Sequence, residues 1–307
     1  MRAMHSHAHA HHHHAPARDG KGAIFAFAFG INLAFVLIEP AFGAIGHSMA
    51  LFADAGHNFG DTMGLGAAWI ANALARRQPT GRFTYGLRGS SILAALLNAI
   101  VLLIAVGAIV AEAVQRLIYP APVSGDIVIA VALLGIVLNG STALVLSRAG
   151  RGDLNVSSAL THALGDAGVS FGVALSGALV LATGWAWLDP ATSLAIAAII
   201  VVATWSLLRR SVSMALHAVP HQIDPQEVRN HLTRLPGVTA VHDLHIWPMS
   251  TTETALTAHL VMPQGHPGDA ALAAFAGELD RRFSIAHVTI QVETGAQECA
   301  LEPDHVV

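Results

Sequence analysis

Apolar residues in this chain come in six long blocks, with most polar residues between them. The blocks run approximately over 23–45, 49–75, 90–118, 126–147, 156–183 and 187–208. Each reaches the roughly 20 residues that a helix needs to cross the hydrocarbon core of a bilayer. The pattern therefore predicts a polytopic α-helical membrane protein with six transmembrane helices. Past about residue 212 the pattern changes to short alternating segments. Asp224-Pro225 reads as a helix start, and EVRNHLTRL keeps helical spacing up to Pro236-Gly237. VTAVHDLHIW and ETALTAHLVM alternate like strands around the connection PMSTT. DAALAAFAGELDRRF is an amphipathic helix, and HVTIQVE is a third strand. The order α-β-β-α-β predicts a small cytoplasmic α+β domain, ferredoxin-like, with its helices on one face of the sheet. The expected division is a disordered polar leader over 1–21, a six-helix domain over 22–211, the α+β domain over 212–294 and a tail over 295–307.

Composition agrees with the blocks: 53% of residues are hydrophobic and 12% charged, and the mean hydropathy is +0.55. Soluble domains carry about twice that share of charge. The charges also set an orientation. Arg18 and Lys21 precede the first span; Arg76, Arg77, Arg82 and Arg88 follow the second. Arg148 and Arg151 separate the fourth and fifth, and Arg209 and Arg210 follow the sixth, against Arg116 alone on the other side. The positive-inside rule then predicts both termini in the cytoplasm of a bacterial inner-membrane protein. No signal-peptide pattern precedes the first block. The net charge is −4, and no basic stripe with interleaved aromatics is present, which excludes a nucleic-acid partner. The single cysteine, Cys299, cannot form an intrachain disulfide and suits a reducing compartment.

Two apolar blocks are interrupted by the same device, His-x-x-x-Asp: His57 with Asp61, and His162 with Asp166. On a helix, positions i and i+4 share a face. Two such helices side by side would offer two imidazoles and two carboxylates, enough for a tetrahedral cation such as Zn²⁺. Ionisable groups at membrane depth are costly and mark ion pathways. One copy could be a packed histidine; two copies in spans nearly free of other charge point to ligands. Two nitrogens with two oxygens suit Zn²⁺, and also Co²⁺ or Cd²⁺, whereas Mg²⁺ and Ca²⁺ prefer all-oxygen shells. Imidazole must lose its proton to bind metal, and its ordinary pKa of about 6.5 puts proton–metal competition in the physiological range. That predicts exchange of a divalent cation for protons.

Asp54 precedes His57 by three residues and extends its polar stripe. It could be a ligand, a proton acceptor or a group that orients His57; four ligands being already at hand, orientation or a proton path is the expectation. Glu39 has no assigned role at this stage. His5, His7, His9, His11, His12, His13 and His14 make the leader a weak metal collector, or else an expression tag, and its irregular spacing favours the native reading. An intramembrane metalloenzyme would need an open coordination position and a general base, as in H-E-x-x-H, which is absent. A membrane metal sensor would leave ligands at membrane depth unexplained.

GHSMALFADAGHNFGD, FTYGLRGSSILAALLNA, THALGDAG, LDPATS, PGVTAVHDLHIW and HVTIQVE occur in this order over about residues 22–294. In these segments the chain resembles the cation diffusion facilitator family, most closely its zinc/cobalt/cadmium efflux branch. The resemblance implies a homodimeric Zn²⁺/H⁺ antiporter with six membrane helices, working by alternating access. It implies a transport site on the second and fifth spans at His57, Asp61, His162 and Asp166, with His57 favouring Zn²⁺. Exporters of Co²⁺, Cd²⁺, Ni²⁺, Mn²⁺ or Fe²⁺ on the same scaffold are the alternative. It also implies cytoplasmic metal ligands at His242, His259 and Glu293. His287 is a further candidate, because strand alternation puts it on the face of Gln291 and Glu293. No cofactor is expected beyond Zn²⁺ itself. The loop RRQPTGRFTYGLRG lacks the His and Asp of a peripheral site that some members carry. SRAGRGDLN lacks the His-rich insertion of others, and His217 stands where some place a carboxylate.

Overall fold

The computed structural model describes residues 21–148 and 154–302. The histidine-rich leader lies outside the described residues. Six long helices come first: α1 (Lys21–Ile45), α2 (Met49–Ala75), α3 (Ser90–Ile118), α4 (Gly125–Arg148), α5 (Leu154–Thr183) and α6 (Leu188–Ala215). Each coincides with one apolar block to within a few residues, apart from α6, which runs seven residues beyond its block. Among the described residues, four are both long and apolar enough to cross a membrane: α3, α4 over 125–147, α5 over 160–183, and α6. Six helices thus stand where the six blocks lie, and four of them meet the length and apolarity of a membrane span. In α2 the reason is chemical: Asp54, His57, Asn58, Asp61 and Thr62 dilute its hydropathy. The outward faces are apolar, with Trp69, Ile104 and Val202 each about 70% exposed, as suits a surface that meets lipid rather than water.

The helices pack chiefly as α4 on α5 and α3 on α6, and α2 touches α1, α3, α5 and α6. Gly177 lets α5 approach α4 closely, because a Cβ there would come within 2.8 Å of Val128. The buried centre is built from small and branched residues, among them Ala50, Leu51, Val106, Val128, Val173 and Ile200.

The N-terminus of α2 is capped from two directions. Ser48 Oγ accepts the Leu51 N–H at 3.1 Å, satisfying a first-turn donor. Asp189, on α6, is 1% exposed and accepts from the Ser48 hydroxyl and from the Met49 and Ala50 N–H groups. The orphan donors at the start of α2 are therefore satisfied by a carboxylate about 140 residues away in sequence, in the favourable direction for the helix dipole.

After α6, the left-handed backbone of His217 (φ 57°) turns the chain into the second domain. That domain runs α7 (Pro225–Thr233), β1 (Ala240–Pro248), β2 (Thr254–Val261), α8 (Asp269–Phe283) and β3 (Ile285–Glu293), the expected order. Asp224 caps α7 through Gln226 N–H at 2.8 Å. The sheet order is β1-β2-β3, with β1 antiparallel and β3 parallel to the central β2. Leu256 and Leu260 of β2 pack with Val228 and Leu232 of α7 and Phe275 and Leu279 of α8. This leaves the intervening positions of β2, His259 among them, to the opposite face. Arg88, just before α3, pairs with Glu253 in the β1–β2 loop at 2.8 Å, and Thr251 N–H donates to Ser91 Oγ at 3.0 Å.

Candidate metal sites

His57 and Asp61 on α2 face His162 and Asp166 on α5. His57 Nε2 lies 3.3 Å from Asp166 Oδ1, and His162 Nε2 lies 3.4 Å from Asp61 Oδ2. Within each helix the pair is 3.7 Å apart on α2 and 3.6 Å on α5. A tetrahedral Zn²⁺ with bonds of about 2.0–2.1 Å would put neighbouring ligand atoms about 3.3–3.4 Å apart. Three of the groups, His57, Asp61 and Asp166, bring one donor atom each within 4.8 Å of one another. His162 lies beside Asp61 and Asp166 with its ring 6.5 Å from that of His57, and would have to swing inward to complete a tetrahedron. Asp61 Oδ2 is buried without a hydrogen-bond partner, although two imidazole nitrogens stand near it. Asp166 is buried and His162 is half exposed, so the cluster opens on the α5 side, into a cavity lined by Thr161, Gly165, Thr192 and Ile199.

Asp54 does not join this cluster. Ser170 Oγ donates to it at 3.0 Å, and Asn58 Nδ2 donates both to it at 3.4 Å and to Glu39 at 3.1 Å. Asp54 and Glu39 are fully buried, and Glu39 Oε1 has no hydrogen-bond partner. Asp54 thereby joins α1, α2 and α5 one helical turn from both His57 and Asp166.

In the second domain, His242 and His259 are cross-strand partners on β1 and β2. Glu293 at the end of β3 reaches both: Oε2 lies 3.1 Å from His242 Nε2, and Oε1 lies 3.0 Å from His259 Nδ1. His242 Nε2 is buried yet makes no aligned hydrogen bond, so it and the carboxylate point at a shared spot rather than at each other. Cys299 completes the group, with Sγ 3.6 Å from His259 Nδ1. The four donors lie within 4.8 Å of one another. The other nitrogen of His259, Nε2, is 3.3 Å from Asp243 Oδ2, and Asp243 Oδ1 is 2.9 Å from His245 Nε2. Asp243 sits at a register shift in β1 with φ of 48°, the kind of bulge that re-aims a side chain. Partial burial pushes the Glu293 carboxyl up. The hydrogen bonds from Gln291 and Cys299 and the nearby His242 and His259 outweigh it, and hold the group below its ordinary value. For the Cys299 thiol, the Leu301 N–H pulls down, while desolvation and the Glu293 and Asp243 carboxylates push it above its ordinary value.

His287 is a correction. It shares a face with Glu293 but pairs with Ala255 at the far end of β2, six residues from Glu293. At about 3.3 Å per residue that is too far to share an ion, and its ring packs edge-on against Tyr85 at 5.5 Å. Periodicity of two finds the face of a strand and not the position along it. Cys299 and Asp243 were not anticipated as site residues. Nothing in the sequence near Cys299 indicates that the chain folds back after β3.

A family model for the cation efflux transmembrane domain matches residues 25–215, and one for the cation efflux protein cytoplasmic domain matches 220–295. The zinc transporter ZitB of Escherichia coli is 35% identical over 266 residues, covering 86% of this chain and 85% of that protein. The metal cation efflux system protein CzcD of Cupriavidus metallidurans is 34% identical over 272 residues, with coverage of 88% and 86%. A cadmium, cobalt and zinc/H⁺-K⁺ antiporter of Bacillus subtilis is 30% identical over 267 residues, with coverage of 85% and 86%. Among solved structures, the metal-bound C-terminal domain of the CzcD transporter is 36% identical. It covers 23% of this chain and 99% of its own, with a TM-score of 0.22.

Proposed function

This chain belongs to the cation diffusion facilitator family of cation efflux transporters, and we propose that it exports Zn²⁺ from the cytoplasm in exchange for protons. The observation that carries this reading is the meeting of His57, Asp61 and Asp166 within 4.8 Å of one another, with His162 beside the two carboxylates. Two carboxylates neutralise a divalent ion, and two imidazoles give borderline ligands that Zn²⁺ prefers over hard cations. Protons compete for the same nitrogens, so a proton entering from outside displaces the ion and resets the site. One charge moved across 100 mV is worth about 2.3 kcal/mol, so each entering proton offsets half of the electrical cost of the departing dication. Asp54, tied to both ligand helices, is assigned to positioning them and to the proton path. The full reading has six spans, both termini in the cytoplasm, two copies joined through the cytoplasmic domains, and alternation between inward- and outward-open forms. The names of the ZitB and antiporter relatives favour the same cargo. His242, His259 and Glu293 form a second, resident metal site in the cytoplasmic domain.

Purified protein in proteoliposomes tests this directly. An imposed pH gradient is expected to accelerate Zn²⁺ flux, and collapsing it with a protonophore to slow it; flux indifferent to the gradient would remove the antiport reading. A second reading, Cd²⁺ or Co²⁺ as cargo, is favoured by the same ligand set and by the antiporter relative's name. His57→Asp replaces the imidazole by a carboxylate and is expected, as the family resemblance implies for an aspartate at this position, to raise Cd²⁺ flux relative to Zn²⁺ several-fold. An unchanged ratio in paired flux assays would count against ligand type as the selector. Deleting residues 1–21 is expected to raise the Zn²⁺ concentration for half-maximal flux while leaving maximal flux nearly unchanged, since clustered imidazoles collect metal loosely. A collapse of maximal flux in that variant would contradict the collecting role.

A further inference from the structure

The resident cytoplasmic site has three donors from the sheet, and a tetrahedral ion needs a fourth. We propose that Cys299, carried back over the sheet by the C-terminal segment, supplies that fourth ligand as a thiolate. The centre is then His₂-Glu-Cys, chemically distinct from the sulfur-free transport site. This rests on the cytoplasmic site assigned above and adds to it both a ligand and a chemical class of metal.

Three features of the surroundings support it. His242 is 6% exposed, and its buried Nε2 makes no aligned hydrogen bond while facing Glu293. His259 turns Nδ1 toward Glu293 and Cys299 and Nε2 toward Asp243. A histidine that ligates through one nitrogen usually donates the other N–H to a carboxylate, which sets the tautomer and the ring direction. Asp243 reaches that place through a left-handed residue at the bulge in β1. Such a conformation costs a non-glycine residue of the order of 1–3 kcal/mol, so the surroundings must hold it there. Finally, the segment after β3 brings a sulfur to the one vertex that the sheet leaves without a donor. A thiolate strengthens the hold on Zn²⁺ and Cd²⁺ over oxygen-preferring cations. It also makes docking of the C-terminal segment depend on metal occupancy.

The chain contains one cysteine, which makes the test specific. Full-length protein in detergent, titrated with Co²⁺, is expected to develop a near-ultraviolet sulfur-to-cobalt charge-transfer band together with visible bands of tetrahedral intensity. Cys299→Ser is expected to remove the charge-transfer band and keep the visible bands; His259→Ala is expected to remove both from this site. The His57→Ala protein, with its membrane site disabled, is expected to keep the charge-transfer band. Visible tetrahedral bands in the His57→Ala protein that vanish when His259→Ala is added, with no charge-transfer band in either, would overturn the thiolate ligand and leave the three-donor site standing. If His259→Ala leaves every cobalt band unchanged, the three-donor site fails as well. In parallel, stoichiometric Zn²⁺ is expected to slow iodoacetamide alkylation of Cys299 by about tenfold or more, because a coordinated thiolate is withheld from the reagent. An alkylation rate indifferent to Zn²⁺ would overturn the proposal.

Discussion

Asp166→Ala is expected to lower Zn²⁺ flux by at least about 100-fold, beyond the 10–100-fold typical of losing a group that only supports a ligand. Asp166 is the most buried of the four membrane donors and the one whose two oxygens face both imidazoles: Oδ1 toward His57 at 3.3 Å and Oδ2 toward His162 at 3.6 Å. Its removal takes away a ligand and half of the charge that neutralises the ion. The remaining His57, Asp61 and His162 would hold a dication with one negative charge in a poorly solvated site, a costly imbalance. Asp166→Asn keeps the shape and loses the charge, and is expected to fail nearly as badly. Flux in proteoliposomes, normalised to protein that elutes as a sharp peak in size-exclusion chromatography, reads the effect. Near-normal flux in Asp166→Ala would remove Asp166 from the site.

Asp189→Ala should act through folding instead, at a cost of about 2–5 kcal/mol, since a buried acceptor lost to several donors exposes each donor's desolvation penalty. The Met49 and Ala50 N–H groups and the Ser48 hydroxyl all donate to Asp189, and Ser48 is fully buried. The variant is expected to lose thermal stability markedly and to transport poorly, because α2 carries His57 and Asp61. Asp189→Asn keeps an acceptor and should recover part of the stability. A melting midpoint within a degree or two of the unaltered protein's in Asp189→Ala would show that the cap contributes little.

These two carboxylates show how unevenly the sequence reveals a site. Asp166 is legible because its partner His162 is four residues away and its duplicate lies on another span, so local helical geometry already implies a shared face. Asp189 is equally buried, but its partners Ser48, Met49 and Ala50 lie at the start of α2, and no local spacing announces a contact over about 140 residues. The cytoplasmic cluster divides in the same way. His242 and His259 fall on neighbouring strands, within reach of pattern and resemblance, while His287 satisfies the same alternation and ends at the wrong end of β3. Cys299 lies in a stretch without periodicity, and only the folded path after β3 brings it to His259.

By itself the sequence determined the helices, their approximate limits, the α-β-β-α-β order and the paired His-x-x-x-Asp devices. These are encoded by short-range periodicity and by the cost of polar groups in apolar surroundings, both of which act within a few residues. The tertiary structure decided which polar groups meet. It set α2 against α5, so that His57 and Asp61 meet Asp166, and capped α2 from α6. It gave Asp54 the partners Ser170 and Asn58, apart from the His57–Asp61–Asp166 cluster, and it folded Cys299 over the sheet. Each of these depends on how helices and strands are placed relative to one another, and packing distributed over the whole core sets that placement.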